Sequence, residues 1–287
     1  MNNLKYFLQF VGIIILFFVY KILGLKLSSI LSGYILLLVG PIFRSNKLAE
    51  MNIKKALPFS TNIERKEILK LMWLNYGKIL SEYMFIKNFR NSKNYSGKII
   101  IENQQILEKI KKDKDPVIFI SGHFNNFELM AMEIEKSGID LAAIYRPLNN
   151  IFLNKVVEKI RKKYICKNQI KKGVSGIRKM IEFYNKNFSI ALMIDQRVSE
   201  GIYSNFFGRS ALTTSVPAKM VKKFGCKIVP IYIERINKIN YKIKIFEPMT
   251  FDKTDSLEGI TNNLNIWLEK MIKNNPNQWI WSHNRWK

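Results

Sequence analysis

Between residues 99 and 273, short apolar runs alternate with segments of helical period, and this alternation limits the possible folds more than any other feature. Strand-like runs fall at 99–101, 117–120, 141–144, 189–194, 227–233 and 241–245, and helical segments at 104–112, 127–137, 150–163, 176–184, 216–224 and 256–273. Strands separated by helices cannot join through tight hairpins; they pair through crossovers, which makes neighbouring strands parallel. The run Val117-Ile118-Phe119-Ile120 is apolar at every position, as expected of a strand covered on both faces. The pattern predicts an α/β domain with a mostly parallel central sheet flanked by helices.

In such sheets the chemistry collects where strands run out. Ser121-Gly122 ends the 117–120 run, and His123 stands just before the next helix, with Glu128 five residues further on. A turn at Gly122 can bring that carboxylate back onto the imidazole, where it would fix the tautomer of a general base. A helix-capping loop is the structural alternative. Arg146 follows the 141–144 strand, held extended by Pro147, and its planar fork suits a phosphate. Asp195-Gln196-Arg197 follows the 189–194 strand, where Asp195 supports the charge network of the site or pairs with Arg197. Phe206-Phe207-Gly208-Arg209 reads as a loop before a helix that Thr214 or Ser215 can cap, and its two phenylalanines fit an acyl pocket or the core.

The N-terminus points to a membrane. Residues 6–25 are apolar apart from Gln9 and Lys21, enough for a helix of about 30 Å, one hydrocarbon thickness. Lys21 stands near its end and Lys26, Arg44, Lys47, Lys54 and Lys55 follow it, so the positive-inside rule predicts a single span with the chain beyond about Arg44 in the cytoplasm. Residues 27–43, broken by serines and glycines, read as an interfacial or buried helix leading into the domain. This divides the chain into an anchor at 1–43 and a catalytic domain at 44–287. With 47 Lys and Arg against 22 Asp and Glu, the formal charge of +25 suits nucleic acid, an anionic membrane or acidic soluble partners. Cys166 and Cys226 lack metal-ligand neighbours, and no metal or cofactor is expected. The closing Trp279, Trp281 and Trp286, with Arg285 and Lys287, fit a membrane interface or stacking on single-stranded nucleic acid; His283 reads as structural.

Gly122-His123-Phe124-Asn125-Asn126-Phe127-Glu128 resembles the His-x4-Glu/Asp motif of the glycerolipid and lysophospholipid acyltransferase superfamily. More narrowly it resembles the branch containing the secondary acyltransferases of lipid A biosynthesis. Tyr145-Arg146-Pro147, Asp195-Gln196-Arg197, the stretch from Phe206 to Thr214, Val229-Pro230 and the stretch from Gln278 to Trp286 agree with that branch in order. The resemblance implies a glycerolipid-acyltransferase-like fold, His123 and Glu128 as catalytic residues, and Asn126, Arg146, Asp195, Arg197 and Arg209 as substrate-binding residues. It also implies an acyl carrier protein donor, an anionic glycolipid acceptor, and residence at the cytoplasmic face of the cell inner membrane. No G-x-S-x-G elbow and no Cys beside a His is present, so direct transfer without a covalent acyl-enzyme is expected. A lysophospholipid or another lipid is the alternative acceptor. A membrane-tethered nucleic-acid-binding protein would leave His123, Glu128 and Arg146 without purpose, and no nucleic-acid motif is present.

Overall fold

The computed structural model describes residues 2–287. Four helices open the chain: α1 (Asn2–Phe43), α2 (Asn46–Ala56), α3 (Asn62–Glu82) and α4 (Ile86–Asn91). The α/β part follows as β1 (Ile99–Glu102), α5 (Gln104–Asp113), β2 (Ile118–Ser121), α6 (Glu128–Lys136), β3 (Leu141–Tyr145) and α7 (Ile151–Tyr164). It continues through β4 (Asn168–Lys171), α8 (Val174–Asn185), β5 (Ser189–Met193), β6 (Ile202–Phe206), β7 (Arg209–Thr213) and α9 (Val216–Phe224). The last elements are β8 (Ile228–Asn237), β9 (Asn240–Ile245) and α10 (Leu257–Asn274).

Among the described residues, seven strands form one sheet in the order β1-β9-β8-β2-β5-β3-β4. Every neighbouring pair is parallel except β8 with β9, which a tight turn joins antiparallel. The expected α/β class is therefore the observed one. β2 lies in the interior of the sheet with all four residues buried, consistent with its unbroken apolar sequence. Burying each such Ile or Phe is worth about 1.5–3 kcal/mol, which makes this strand a firm platform for whatever follows it.

Three strands escaped the sequence reading. β4 is one edge of the sheet, and its polar Asn168-Gln169-Ile170-Lys171 has no apolar run to betray it. β6 and β7 form a separate antiparallel hairpin where a loop was expected. Phe207 and Gly208 make its turn, both with positive φ (54° and 68°), the geometry of a two-residue hairpin. Phenylalanine is an unusual residue at the first of these positions, so the usual Asn-Gly signal is absent.

α1 bends at Gly24, whose φ of 72° lies in the left-handed region. Its second half packs on α3. Ser28, Ser29 and Ser32, which interrupt the apolar sequence, are the buried face, and Ser32 Oγ donates to the Gly77 carbonyl at 2.6 Å. The helices approach so closely that a Cβ on Gly77 would lie 2.0 Å from the Ser32 carbonyl oxygen. α3 itself starts in a capping box, with Thr61 and Glu64 each satisfying the other's backbone N–H. The C-terminal aromatics face inward rather than towards a membrane or a nucleic acid: Trp279 and Trp281 are buried, and Trp286 stacks on Phe206.

Candidate active site

The parallel register places the site. Ser121 on β2 pairs with Met193 on β5, so His123 and Asp195, each two residues beyond, leave neighbouring strands side by side. His123 Nδ1 lies 2.7 Å from Asp195 Oδ1, and the backbone N–H of His123 donates to Asp195 Oδ2 at 2.7 Å. Trp279 Nε1 donates to the same Oδ2 at 2.8 Å. Asp195 is fully buried. Burial opposes its charged form, but the His123 ring and these hydrogen bonds outweigh it and hold its pKa below the ordinary range. An ionised acceptor at Nδ1 puts the proton there and leaves Nε2 with its lone pair. The His123 side chain is 22% exposed, lines a cavity of about 670 Å³, and has Gln196 Nε2 at 3.5 Å from its Nε2.

The loop that carries His123 is clamped from the far end of the chain. Asn125, with φ of 43°, receives the Gln278 carbonyl on its N–H at 2.9 Å, and its Nδ2 donates to Gln278 Oε1 at 2.6 Å. Gln278 also exchanges hydrogen bonds with the backbone of Arg235 on β8. His123 and the C-terminal segment are therefore one constructed unit, a connection that sequence distance conceals.

Glu128 does not serve as the imidazole's partner. Its carboxylate accepts from Arg161 of α7, at 2.8 Å from Nε and 2.5 Å from Nη2, and lies in the same cavity wall as His123. The reason is geometric: α6 begins only at Glu128, after a loop that follows the turn at Gly122, and Asp195 already occupies Nδ1. Arg146 is exposed at the end of β3 and lines the cavity with Arg44 and Lys172. Burial pulls the Lys172 ammonium below its ordinary pKa, and the like charge of Arg146 adds to this. Among the described residues, none of these three cations has a carboxylate partner.

Three of the expected substrate-binding residues stand elsewhere. Asn126 is fully buried behind the site, donating to Glu82 Oε2 at 3.2 Å in a cluster where Glu82 also binds Arg235 and Tyr241. Arg209 is exposed on the β6–β7 hairpin, with its Nε 3.4 Å from the Lys55 carbonyl. Arg197 does not line the cavity, although Gln196 and Val198 on either side of it do, and its backbone N–H donates to His283 Nε2 at 2.9 Å. Burial, with the nearby positive charge of Arg285 and Arg44, lowers the His283 pKa to about 4 and keeps the ring neutral. Arg285, which sequence reasoning placed at a surface, is buried over the Phe206 ring and bonds the Leu212 carbonyl and Thr213 Oγ1. Cys166 and Cys226 are free and buried, and burial pushes both thiols up to about 12.

Deeper in, the cavity turns apolar, between the sheet and helices α6 and α8, lined by Met130, Ile134, Ile144, Ile165 and Met180. A polar, cationic mouth above an apolar interior, with a histidine–carboxylate pair at the junction, is a layout for an amphiphilic reactant. The family of bacterial lipid A biosynthesis acyltransferases matches residues 1–287, and the chain belongs to that family. It is accordingly an acyltransferase of lipid A biosynthesis, with a glycolipid acceptor. It is similar to lipid A biosynthesis acyltransferase 2 of Shigella flexneri, with 20% identity over 247 residues, 83% of this chain and 76% of the relative. The apolar N-terminal helix and the pathway together suggest membrane association.

Proposed function

We propose that the enzyme moves a fatty acyl chain from an acyl thioester to a hydroxyl of a phosphorylated lipid A precursor, with His123 as general base and Asp195 as its orienting partner. The observation that carries this reading is the 2.7 Å contact from Nδ1 to a buried carboxylate, with Nε2 left facing the cavity. Nε2 takes the proton as the acceptor oxygen attacks the thioester carbonyl. A C–O bond forms, the C–S bond breaks, and the imidazolium returns its proton to the departing thiolate. The apolar part of the cavity fits the acyl chain, and Arg44, Arg146 and Lys172 fit the acceptor's phosphate, since a guanidinium fork binds oxyanions in two places. Glu128 and Arg161 are a neutralised pair in the wall beside the imidazole, and they position substrate rather than move its proton.

Acyl carrier protein is the donor that best fits a chain of formal charge +25, because it is acidic. That donor and the lipid acceptor together place the reaction at the cytoplasmic face of the inner membrane. A folded His123→Ala enzyme should lose about 10²–10⁴-fold in acyl transfer from acyl carrier protein to a lipid A precursor. Near-normal transfer by that variant, with an unchanged thermal midpoint, would end the mechanism. Mass spectrometry of lipid A from a strain lacking the enzyme should show one acyl chain missing; an intact lipid A with altered phospholipids would instead name a lysophospholipid acceptor.

A further inference from the structure

The first half of α1 has the composition of a membrane span but not the surroundings of one. Tyr6, Gln9, Phe10, Ile13, Leu16, Phe17 and Tyr20 are its least exposed side chains, and they are related by intervals of three and four residues, one stripe of a helix. That stripe rests on the catalytic domain. Asn150 caps α7 with its Oδ1, accepting from Phe152 and Leu153 N–H at 3.1 Å, and its Nδ2 donates to the Tyr6 carbonyl at 2.8 Å. Phe7 and Phe10 meet the Phe152 ring at 5.7 and 5.9 Å. The end of α1 farthest from the kink is thus tied to the domain. A helix that crossed a bilayer away from the domain would carry that end about 30 Å off.

The remaining circumference is apolar and open: Leu4, Leu8, Ile15, Phe18 and Ile22 are each 59–70% exposed. Beside it α7 presents Lys155, Lys159, Lys162 and Lys163, which cannot follow α1 into hydrocarbon. The same α7 end borders the cavity. Leu148 and Asn149 of its wall directly precede the Asn150 cap; Leu148 and Val174 of that wall are 41% and 63% exposed, and Ile151, just after the cap, is 49% exposed.

We propose that α1 lies in the plane of the membrane interface instead of spanning it, and that α1, the α7 lysines and the apolar rim of the cavity form one surface that docks on an anionic lipid bilayer. The apolar faces sink among acyl chains while the lysines meet lipid phosphates. The cavity mouth then opens into the bilayer, so the glycolipid acceptor enters sideways without leaving it. This rests on the membrane-bound acyltransferase reading and replaces the single span that the sequence predicts.

The test uses the full-length enzyme, whose two native cysteines are buried. Lys5→Cys and Lys47→Cys, both at exposed positions, are treated with a membrane-impermeant maleimide in sealed inner-membrane vesicles of each orientation. Both positions should label from the same side and to the same extent. Labelling of position 5 only from the opposite side, or only after detergent, overturns the proposal and leaves the catalytic site untouched. As a second measurement, Gln9→Cys with Asn150→Cys should form a disulfide in the membrane-bound enzyme, which a spanning helix forbids. Failure of the purified enzyme to float with phosphatidylglycerol vesicles would instead overturn membrane docking itself, and with it the membrane setting of the proposed function.

Discussion

Asp195 and Glu82 are both fully buried carboxylates, and the difference between them separates chemistry from scaffolding. Glu82 is saturated: Arg235 Nη1 donates to Oε1 at 2.6 Å, Nη2 to Oε2 at 3.1 Å, and Ser29, Asn126 and Tyr241 add further bonds. Its cationic partner is 7% exposed and has no access to the cavity. Asp195 takes three hydrogen bonds, from the His123 N–H, His123 Nδ1 and Trp279, and its partner is a titratable ring with one nitrogen left over and 22% of its side chain exposed. A buried ion pair in which every group is satisfied holds elements together, here α1, α3, β8 and β9. A buried carboxylate that serves a half-open imidazole prepares a base.

Substitutions at the two centres should therefore fail in different measurements. Asp195→Asn should cost about 10²–10⁴-fold in kcat, because an amide facing two donors cannot hold Nδ1 protonated and support the imidazolium. Equal activity in the variant would reduce Asp195 to a structural group. Glu82→Ala should leave a buried Arg235 uncompensated and cost about 3–5 kcal/mol of stability. This should appear as a lowered thermal midpoint with normal kcat in the molecules still folded, and a kcat collapse in stable protein would contradict the division. Arg146→Ala acts at the exposed rim, so the expected effect is a rise of about tenfold in acceptor KM, about 1.4 kcal/mol, with kcat little changed.

The smallest effect concerns His283. Its folded pKa of about 4 lies below the unfolded value, so between those two values the unfolded chain binds more protons. Stability should thus fall as pH drops from about 6.5 towards 4, and His283→Gln should flatten that part of the curve. An unchanged slope of thermal midpoint against pH would mean that His283 titrates normally.

Much of this was legible beforehand. Apolar runs marked the sheet strands other than polar β4, and His123, Arg146 and Asp195 do stand just beyond strand ends, as the sequence predicts. What misled was local spacing. Glu128 lies five residues from His123, and spacing alone points to it as the partner, whereas the carboxylate on Nδ1 comes from 72 residues away, through the register of β2 with β5. Charge and aromatic content were equally ambiguous. Arg285, Trp279 and Trp281 look like surface residues in a list, but the cluster of β6, β7 and α10 buries them. Asn126, inside the motif, binds Glu82 of α3, a contact between helical and sheet regions that no pattern in either segment announces.

The central claim is that Asp195, not Glu128, completes the base. It is tested by measuring kcat for His123→Ala, Asp195→Asn, Glu128→Gln and the pair His123→Ala with Asp195→Asn, with folding checked for each. Residues that act as one unit are strongly non-additive, so the double variant should be little slower than His123→Ala, with Asp195→Asn close behind and Glu128→Gln clearly milder. A Glu128→Gln enzyme as slow as His123→Ala, alongside an Asp195→Asn enzyme that keeps most of its activity, would contradict the account.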